Sequence, residues 1–132
     1  MELLESAEAE RGLTIFGVFL YAHPDTALLE FYWEAGLLYR GTFRNRDLDS
    51  IGLAVNKSRV SNALVAVQNM RNLIMPGSVS AQSAESDIEL NYRAQLTQWL
   101  SLMPNIQYVV RPNAVTIIPN AFVLGLQAIV TF

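Results

Sequence analysis

The last thirteen residues constrain the fold of this chain more than any other stretch. They read NAFVLGLQAIVTF, and in a β-strand successive side chains point to opposite faces. One face is then apolar throughout and has an aromatic residue at each end: Phe122, Leu124, Leu126, Ala128, Val130 and Phe132. The span between its aromatic ends matches the apolar band of a membrane barrel. A soluble β-protein shows the same alternation when a core covers the apolar face, so both classes remain open at this point.

Five earlier segments also have strand character. The sequence predicts six antiparallel strands in three hairpins, at residues 12–22, 27–40, 50–61, 87–96, 100–110 and 120–132. The pattern is clearest in residues 87–96, where apolar and polar residues alternate without exception. It is imperfect in 50–61, where Lys57 and Arg59 fall on the apolar face. The pattern predicts an all-β fold.

The connections between these strands differ in length. Residues 41–49 and 97–99 are short links, whereas 62–86 and 112–119 are longer or contain proline. Within 62–86 a few apolar residues have helical spacing, and we expect a long surface loop with one helical turn. Short turns at one end of a sheet and long loops at the other are typical of membrane barrels.

Composition excludes several classes of protein. The 132-residue chain is long enough for one domain. Its net charge of −3 does not indicate the basic surface that binds nucleic acid. Hydrophobic residues make up 52%, yet no apolar run approaches the roughly 20 residues that a membrane helix needs. Because cysteine is absent, disulfides and thiolate chemistry are excluded.

The first residues do not resemble a secretory signal. Residues 1–12 are acidic, with no cationic start and no apolar core. We therefore expect either a cytoplasmic protein or the tail of a longer precursor.

No catalytic or metal-binding motif is present in the sequence. His23, the only histidine, lies in a turn beside Pro24. Glu30 and Glu34 lie about 13–14 Å apart along a strand, too far for a paired-carboxylate mechanism. We expect no enzyme activity, no metal and no cofactor.

Several blocks of the chain resemble the carbohydrate-selective porins of the OprB family in order and spacing. The blocks are RGLTIFG (11–17), EAGLLYRG (34–41), RDLDSIGLA (46–54), SRVS (58–61), IELNYRAQLTQWLSLMPNIQYVVRP (88–112) and NAFVLGLQAIVTF (120–132). The resemblance implies an antiparallel transmembrane β-barrel segment of about six strands, at residues 12–132, preceded by a non-barrel segment at 1–11. It also implies an outer-membrane location and passive diffusion of sugars.

In such a barrel the polar faces of the strands line the lumen. The candidate lumen-facing residues are Glu30, Tyr32, Glu34, Glu89, Asn91, Arg93, Gln95, Asn105, Gln107 and Arg111. The expected partners are outer-membrane lipid, sugars as permeants, and the barrel-assembly machinery, which would contact the last strand ending in Phe132. No nucleic-acid partner is expected.

Three functions remain in competition. The chain is a porin fragment with a sugar path, a soluble β-sandwich or small barrel that acts as a binding module, or a structural piece of an outer-membrane protein. Barrels with an aqueous channel use 16–18 strands, and six strands leave two open edges. We therefore expect a truncated chain that forms no pore by itself.

Overall fold

The computed structural model describes residues 11–132, and these residues form one antiparallel sheet. The expected segment at 1–11 lies outside the described residues except for Arg11. Six strands follow one another in chain order across the sheet. They are β1 (Gly12–Tyr21), β2 (Leu29–Arg40), β3 (Ser50–Val60), β4 (Ala84–Gln95), β5 (Leu100–Val110) and β6 (Ala121–Val130). The predicted all-β, antiparallel architecture is confirmed.

The expectation for residues 62–86 was wrong. A helix of 13 residues, α1, spans Asn62–Ile74, and β4 begins at Ala84 rather than at 87. The hydroxyl of Ser61 accepts a hydrogen bond from the N–H of Leu64 (3.2 Å) and so caps the first turn. Later in the helix, Gln68 donates to the Gln82 side chain (2.8 Å). These contacts hold α1 against the chain that follows it.

The connections separate the two ends of the sheet. We call the end with connectors 41–49 and 96–99 the turn end; β1 starts there and β6 finishes there. The other end, the helix end, contains residues 22–28, α1 with its following loop, and 111–120, which include a short 3₁₀ turn. No helix within residues 11–132 is long and apolar enough to cross a membrane.

The described residues contain almost no hydrophobic core. The buried apolar residues are only Val60, Ala114 and Val115, all at the helix end. A soluble sandwich would cover its apolar face with a second sheet, whereas residues 11–132 form a single sheet. Most of the large apolar side chains therefore lie exposed on one face.

Candidate functional site

The pairing register collects the polar side chains on one face of the sheet. Glu89 on β4 lies opposite Ala54 on β3 and Gln107 on β5. Asn91 lies opposite Gly52 and Asn105 in the same way. Since residues that are directly opposite share a face, the alternation of the central strands β2 to β5 adds to one polar face.

Four predicted site residues form a patch near the middle of this face. Gln107 donates a hydrogen bond to Oε2 of Glu89 (2.6 Å), and Asn91 donates to Oε1 of the same carboxylate (3.2 Å). Asn105 is the directly opposite partner of Asn91. The patch therefore combines a carboxylate with three amides, all on half-buried residues.

Two glycines let the amides of this patch lie close to the backbone. A Cβ built on Gly52 would lie 2.7 Å from Oδ1 of Asn91, and one on Gly125 would lie 2.2 Å from Oδ1 of Asn105. Both distances are too short for real carbon–oxygen contacts, so any larger residue would displace the amide. The glycines thus keep this part of the polar face flat.

A second polar group lies beside the patch, towards the helix end. The Tyr32 hydroxyl donates to Glu34 (2.5 Å), and Asn56 donates to Oδ2 of Asp87 (3.4 Å). Within residues 11–132, Oδ1 of Asp87 has no hydrogen-bond partner although it is buried. Asn56 and Asp87 were not among the predicted site residues, although the alternation of their strands places both on the polar face.

Charges on the polar face are sorted along the strands. The register places Arg40 and Arg93 opposite Ser50, in the half of the sheet towards the turn end. The carboxylates lie farther towards the helix end: Glu34, Glu85, Asp87 and Glu89. A molecule that moved along this face would meet arginines first and carboxylates afterwards, or the reverse.

An aromatic ring also lies on the polar face. Phe16 lies directly opposite Gly36 in the neighbouring strand. A Cβ built on Gly36 would lie 2.4 Å from the Phe16 ring. Phe16 is 39% exposed, so part of the ring is open to solvent. Phe16 was not among the predicted site residues, because both faces of β1 are apolar.

The remaining predicted residues lie at the ends of the sheet. Glu30 accepts a hydrogen bond from the N–H of Asn62 (3.2 Å) at the start of α1. Arg111 follows β5 in a left-handed conformation and reaches Ser83 (3.4 Å). At the turn end, the Gln95 side chain donates to the carbonyl of Thr97 (2.7 Å). Arg93 lies nearer the centre and donates to Ser101 (3.3 Å).

Asp49 connects the β2–β3 turn to β4. Its side chain is almost fully buried (1% exposed) and accepts hydrogen bonds from Arg46, from the Tyr92 hydroxyl and from the N–H of Gln95 (2.9 Å). Burial raises the pKa of Asp49, but these hydrogen bonds outweigh it and hold the pKa below its ordinary value. The carboxylate is therefore a charged structural link at the turn end.

The opposite face of the sheet is apolar and banded. Its middle row contains one leucine or isoleucine from every strand: Ile15, Leu37, Leu53, Leu90, Ile106 and Leu124. Aromatic pairs lie on either side of this row. Phe19 and Phe31 (ring centroids 5.2 Å apart) lie towards the helix end, as do Tyr108 and Phe122, and Phe43 and Tyr92 lie towards the turn end.

An aliphatic row between two aromatic bands is the pattern of a lipid-facing barrel surface. The face behind it is polar and flat, and residues 11–132 contain no group of acidic and histidine side chains suited to a metal ion. The fold and the two faces together define part of the wall of a membrane β-barrel of the porin class.

Comparison with known proteins identifies the family. The description "Carbohydrate-selective porin, OprB family" matches residues 3–132, and the chain belongs to this family. It is similar to Porin B of Pseudomonas aeruginosa, with 30% identity over 129 residues that cover 92% of this chain and 28% of that protein. It is also similar to the putative porin QuiX of Acinetobacter baylyi, with 32% identity over 134 residues, 94% of this chain and 30% of that protein.

A solved structure has the same fold. The high-pH structure of Pseudomonas putida OprB superposes with a TM-score of 0.87 and 32% identity, covering 92% of this chain and 31% of that chain. The described sheet therefore has the curvature of a porin wall. The chain spans about three tenths of the length of the relatives it matches.

Proposed function

We propose that this chain forms part of an outer-membrane porin and that its polar face lines a passive path for carbohydrates. The observation that carries the proposal is the patch of Glu89, Asn91, Asn105 and Gln107 on a flat stretch of wall. Membership of a carbohydrate-selective family supports the same conclusion. Channels of this kind pass solutes and do no chemistry on them.

The patch suits a sugar because it offers both kinds of hydrogen-bonding group. A sugar hydroxyl can donate to the Glu89 carboxylate and accept from an amide of Asn91 or Gln107. The exposed part of the Phe16 ring and the Tyr32 ring provide apolar surface for the C–H face of a sugar. Each contact is weak, which allows a solute to leave as readily as it enters.

Lipid and the assembly machinery are the proposed partners of the remaining surfaces. The aliphatic row and its aromatic bands contact the outer-membrane bilayer. The barrel-assembly machinery contacts β6 and Phe132, whose side chain is fully exposed. Deletion of Phe132 should lower the amount of assembled porin in the outer membrane, measured by heat-modifiable migration in gels. An unchanged amount would count against this role.

The sugar path is tested by flux through the assembled porin in liposomes. Glu89→Ala combined with Arg93→Ala removes one charge of each sign from the polar face and should change the swelling rate with glucose-sized sugars. Asp25→Ala combined with Arg44→Ala is the matched control, because both residues are exposed in connectors. Heat-resistant folding in detergent should persist in both variants.

Unchanged sugar flux in a folded Glu89/Arg93 variant would show that this wall is not part of the selective path. Absence of any sugar flux through the unmodified porin would instead favour a purely structural role in the membrane.

A further inference from the structure

Two cationic side chains interrupt the apolar face of the sheet near the helix end. Lys57 lies directly opposite Trp33 on β2, and Arg59 lies directly opposite Phe31; both cations are exposed. Since β3 ends at Val60, both lie within about 8 Å of the end of a strand that is tilted by about 40°. Their aromatic neighbours are typical of the level where the apolar band meets the lipid headgroups.

The carboxylates of residues 11–132 lie elsewhere. They are Glu34, Glu85, Asp87 and Glu89 on the polar face, and Asp25, Glu30, Asp47 and Asp49 at or beyond the ends of the strands. None of them forms an ion pair with Lys57 or Arg59. Arg59 donates to Oδ1 of Asn62 (3.2 Å), which uses one of the five N–H groups of arginine. Within the described part of the chain, the two cations therefore have no counter-ion.

A groove of about 240 Å³ begins beside Lys57 and extends towards the middle of the apolar face. It is lined by Val55 and Ile88, which lie directly opposite each other on β3 and β4. Trp33 on β2 and Tyr108 on β5 line its two sides. The groove is therefore apolar along its length and cationic at the end nearest the headgroups.

A hydroxyl group lies at the same end of the groove. Ser86 is directly opposite Lys57, and Arg59 follows Lys57 by two residues, about 7 Å along the strand. An ammonium, a guanidinium and a hydroxyl are thus close enough to donate hydrogen bonds to the oxygens of a single phosphate group.

We propose that Lys57, Arg59 and Ser86 bind the phosphate of an anionic lipid, and that one acyl chain of this lipid lies in the groove. The lipid belongs to the outer leaflet, because long connections of a membrane barrel face the outside and the long connections here are at the helix end. A zwitterionic headgroup fits less well, since it also carries an ammonium group and this part of the face has no carboxylate to receive it.

Long cationic side chains near a membrane surface can also extend into water without binding any lipid. That alternative requires neither a groove nor a neighbouring hydroxyl, and it predicts no preference among headgroups. The lipid site rests on the proposed membrane location of the sheet, but it is independent of the sugar path on the opposite face.

The first test is lipid binding to the assembled porin in detergent, measured by native mass spectrometry. The probes are dioleoyl phosphatidic acid and dioleoyl phosphatidylcholine, with inorganic phosphate as a competitor. Phosphatidic acid should bind more tightly than phosphatidylcholine, and inorganic phosphate should not displace it, because phosphate has no chain to fill the groove. Equal binding of the two lipids, or displacement by an equal concentration of phosphate, would overturn the proposal.

The second test removes the two charges. A basic residue beside an anionic lipid surface contributes about fivefold in affinity, so Lys57→Gln combined with Arg59→Gln should weaken the binding of phosphatidic acid by about 25-fold. Binding of phosphatidylcholine should not change. Arg44→Gln combined with Arg71→Gln is the matched control, since it removes two exposed cations from a connector and from α1. An equal loss in both variants would indicate general attraction of charge and would overturn the site.

The third test fills the groove without changing any charge. Val55→Phe adds a ring among the lining residues and should also weaken the binding of phosphatidic acid, whereas Val55→Ala should not. Heat-resistant migration in gels verifies that each variant is folded. Unchanged binding in a folded Val55→Phe variant would refute the placement of the acyl chain.

Sugar flux separates this site from the proposed path. Lys57 and Arg59 face away from the polar face, so their double variant should lose lipid affinity and keep the liposome swelling rate of the unmodified porin. A porin that binds phosphatidic acid here but passes no sugar would refute the path and leave the lipid site standing. Normal flux without any preference for phosphatidic acid would refute the lipid site alone.

Discussion

Replacement of Asp49 by asparagine tests whether the turn end depends on one buried carboxylate. The substitution keeps the shape of the side chain and removes its charge. Oδ1 can still accept from the N–H of Gln95, but an amide nitrogen in place of Oδ2 would face the Arg46 and Tyr92 donors. The Tyr92 hydroxyl would then lack its acceptor, and Arg46 would keep only its contact with Oδ1 (3.2 Å).

The size of the effect follows from the burial of each partner. A hydrogen bond to a charged group contributes about 1.5–3 kcal/mol, which applies to the part-buried Tyr92 hydroxyl. The Arg46 side chain is 43% exposed, so its ion pair adds only about 0.2–1 kcal/mol. We expect Asp49→Asn to lower the free energy of unfolding by about 2–4 kcal/mol.

The control is a chemically identical change in the same turn. Asp47 pairs with Arg11 (2.5 Å), but both side chains are more than half exposed. Asp47→Asn should therefore lower the free energy of unfolding by less than about 1 kcal/mol. Urea unfolding in detergent, followed by the fluorescence of Trp33 and Trp99, measures both variants. Equal losses in the two variants would refute the role assigned to Asp49.

The difference in free energy of unfolding between the unmodified protein and Asp49→Asn should depend on pH in a definite direction. Because the pKa of Asp49 is lowered in the folded protein, its contribution is fully present above the unfolded value of about 3.9. The stabilising contribution of Asp49 is lost as the pH falls through the pKa that this residue has in the folded protein. The gap between the unmodified protein and Asp49→Asn should thus be constant near neutral pH and shrink below about pH 4. A gap that grew on acidification would contradict the assignment.

Two further predictions concern the faces of the sheet. Single cysteines along residues 88–96 of the assembled porin should react with a water-soluble thiol reagent at odd-numbered positions and resist it at even-numbered ones; uniform labelling would refute the facing. Gly125→Ala should push the neighbouring Asn105 amide into the path and lower sugar flux without loss of folding. Gly17→Ala, whose new Cβ meets only a carbonyl at 3.7 Å, should leave flux unchanged, and an equal decrease in both variants would count against the mechanism.

The strands could be predicted from the sequence because their cause is local. In β4, polar residues such as Glu89 alternate with apolar residues such as Leu90, and this pattern is visible in the sequence of the strand alone. The pairing register then confirmed that the polar residues of neighbouring strands share a face. The sequence alone left open whether the protein was soluble or a membrane protein. The whole sheet was needed to decide, because it shows a full row of leucines and isoleucines that no other layer of residues 11–132 covers.

The features that the sequence did not predict depend on distant contacts. The helix α1 has a cap at Ser61 and is held through Gln68 by Gln82, fourteen residues later. Asp49 binds Tyr92, which is 43 residues away. Neither contact leaves a periodic signal in the chain. Phe16 was missed for the opposite reason, because a strand with two apolar faces gives no sign of which one meets water.

The flat stretch of wall at Gly52 and Gly125 has a consequence for how this porin can change. Glycine is the smallest residue, so every substitution at either position adds volume on the polar face of the sheet. On the path proposed above, mutation at these two positions can narrow the passage but cannot widen it. Selection for larger solutes would have to act at other positions of the wall.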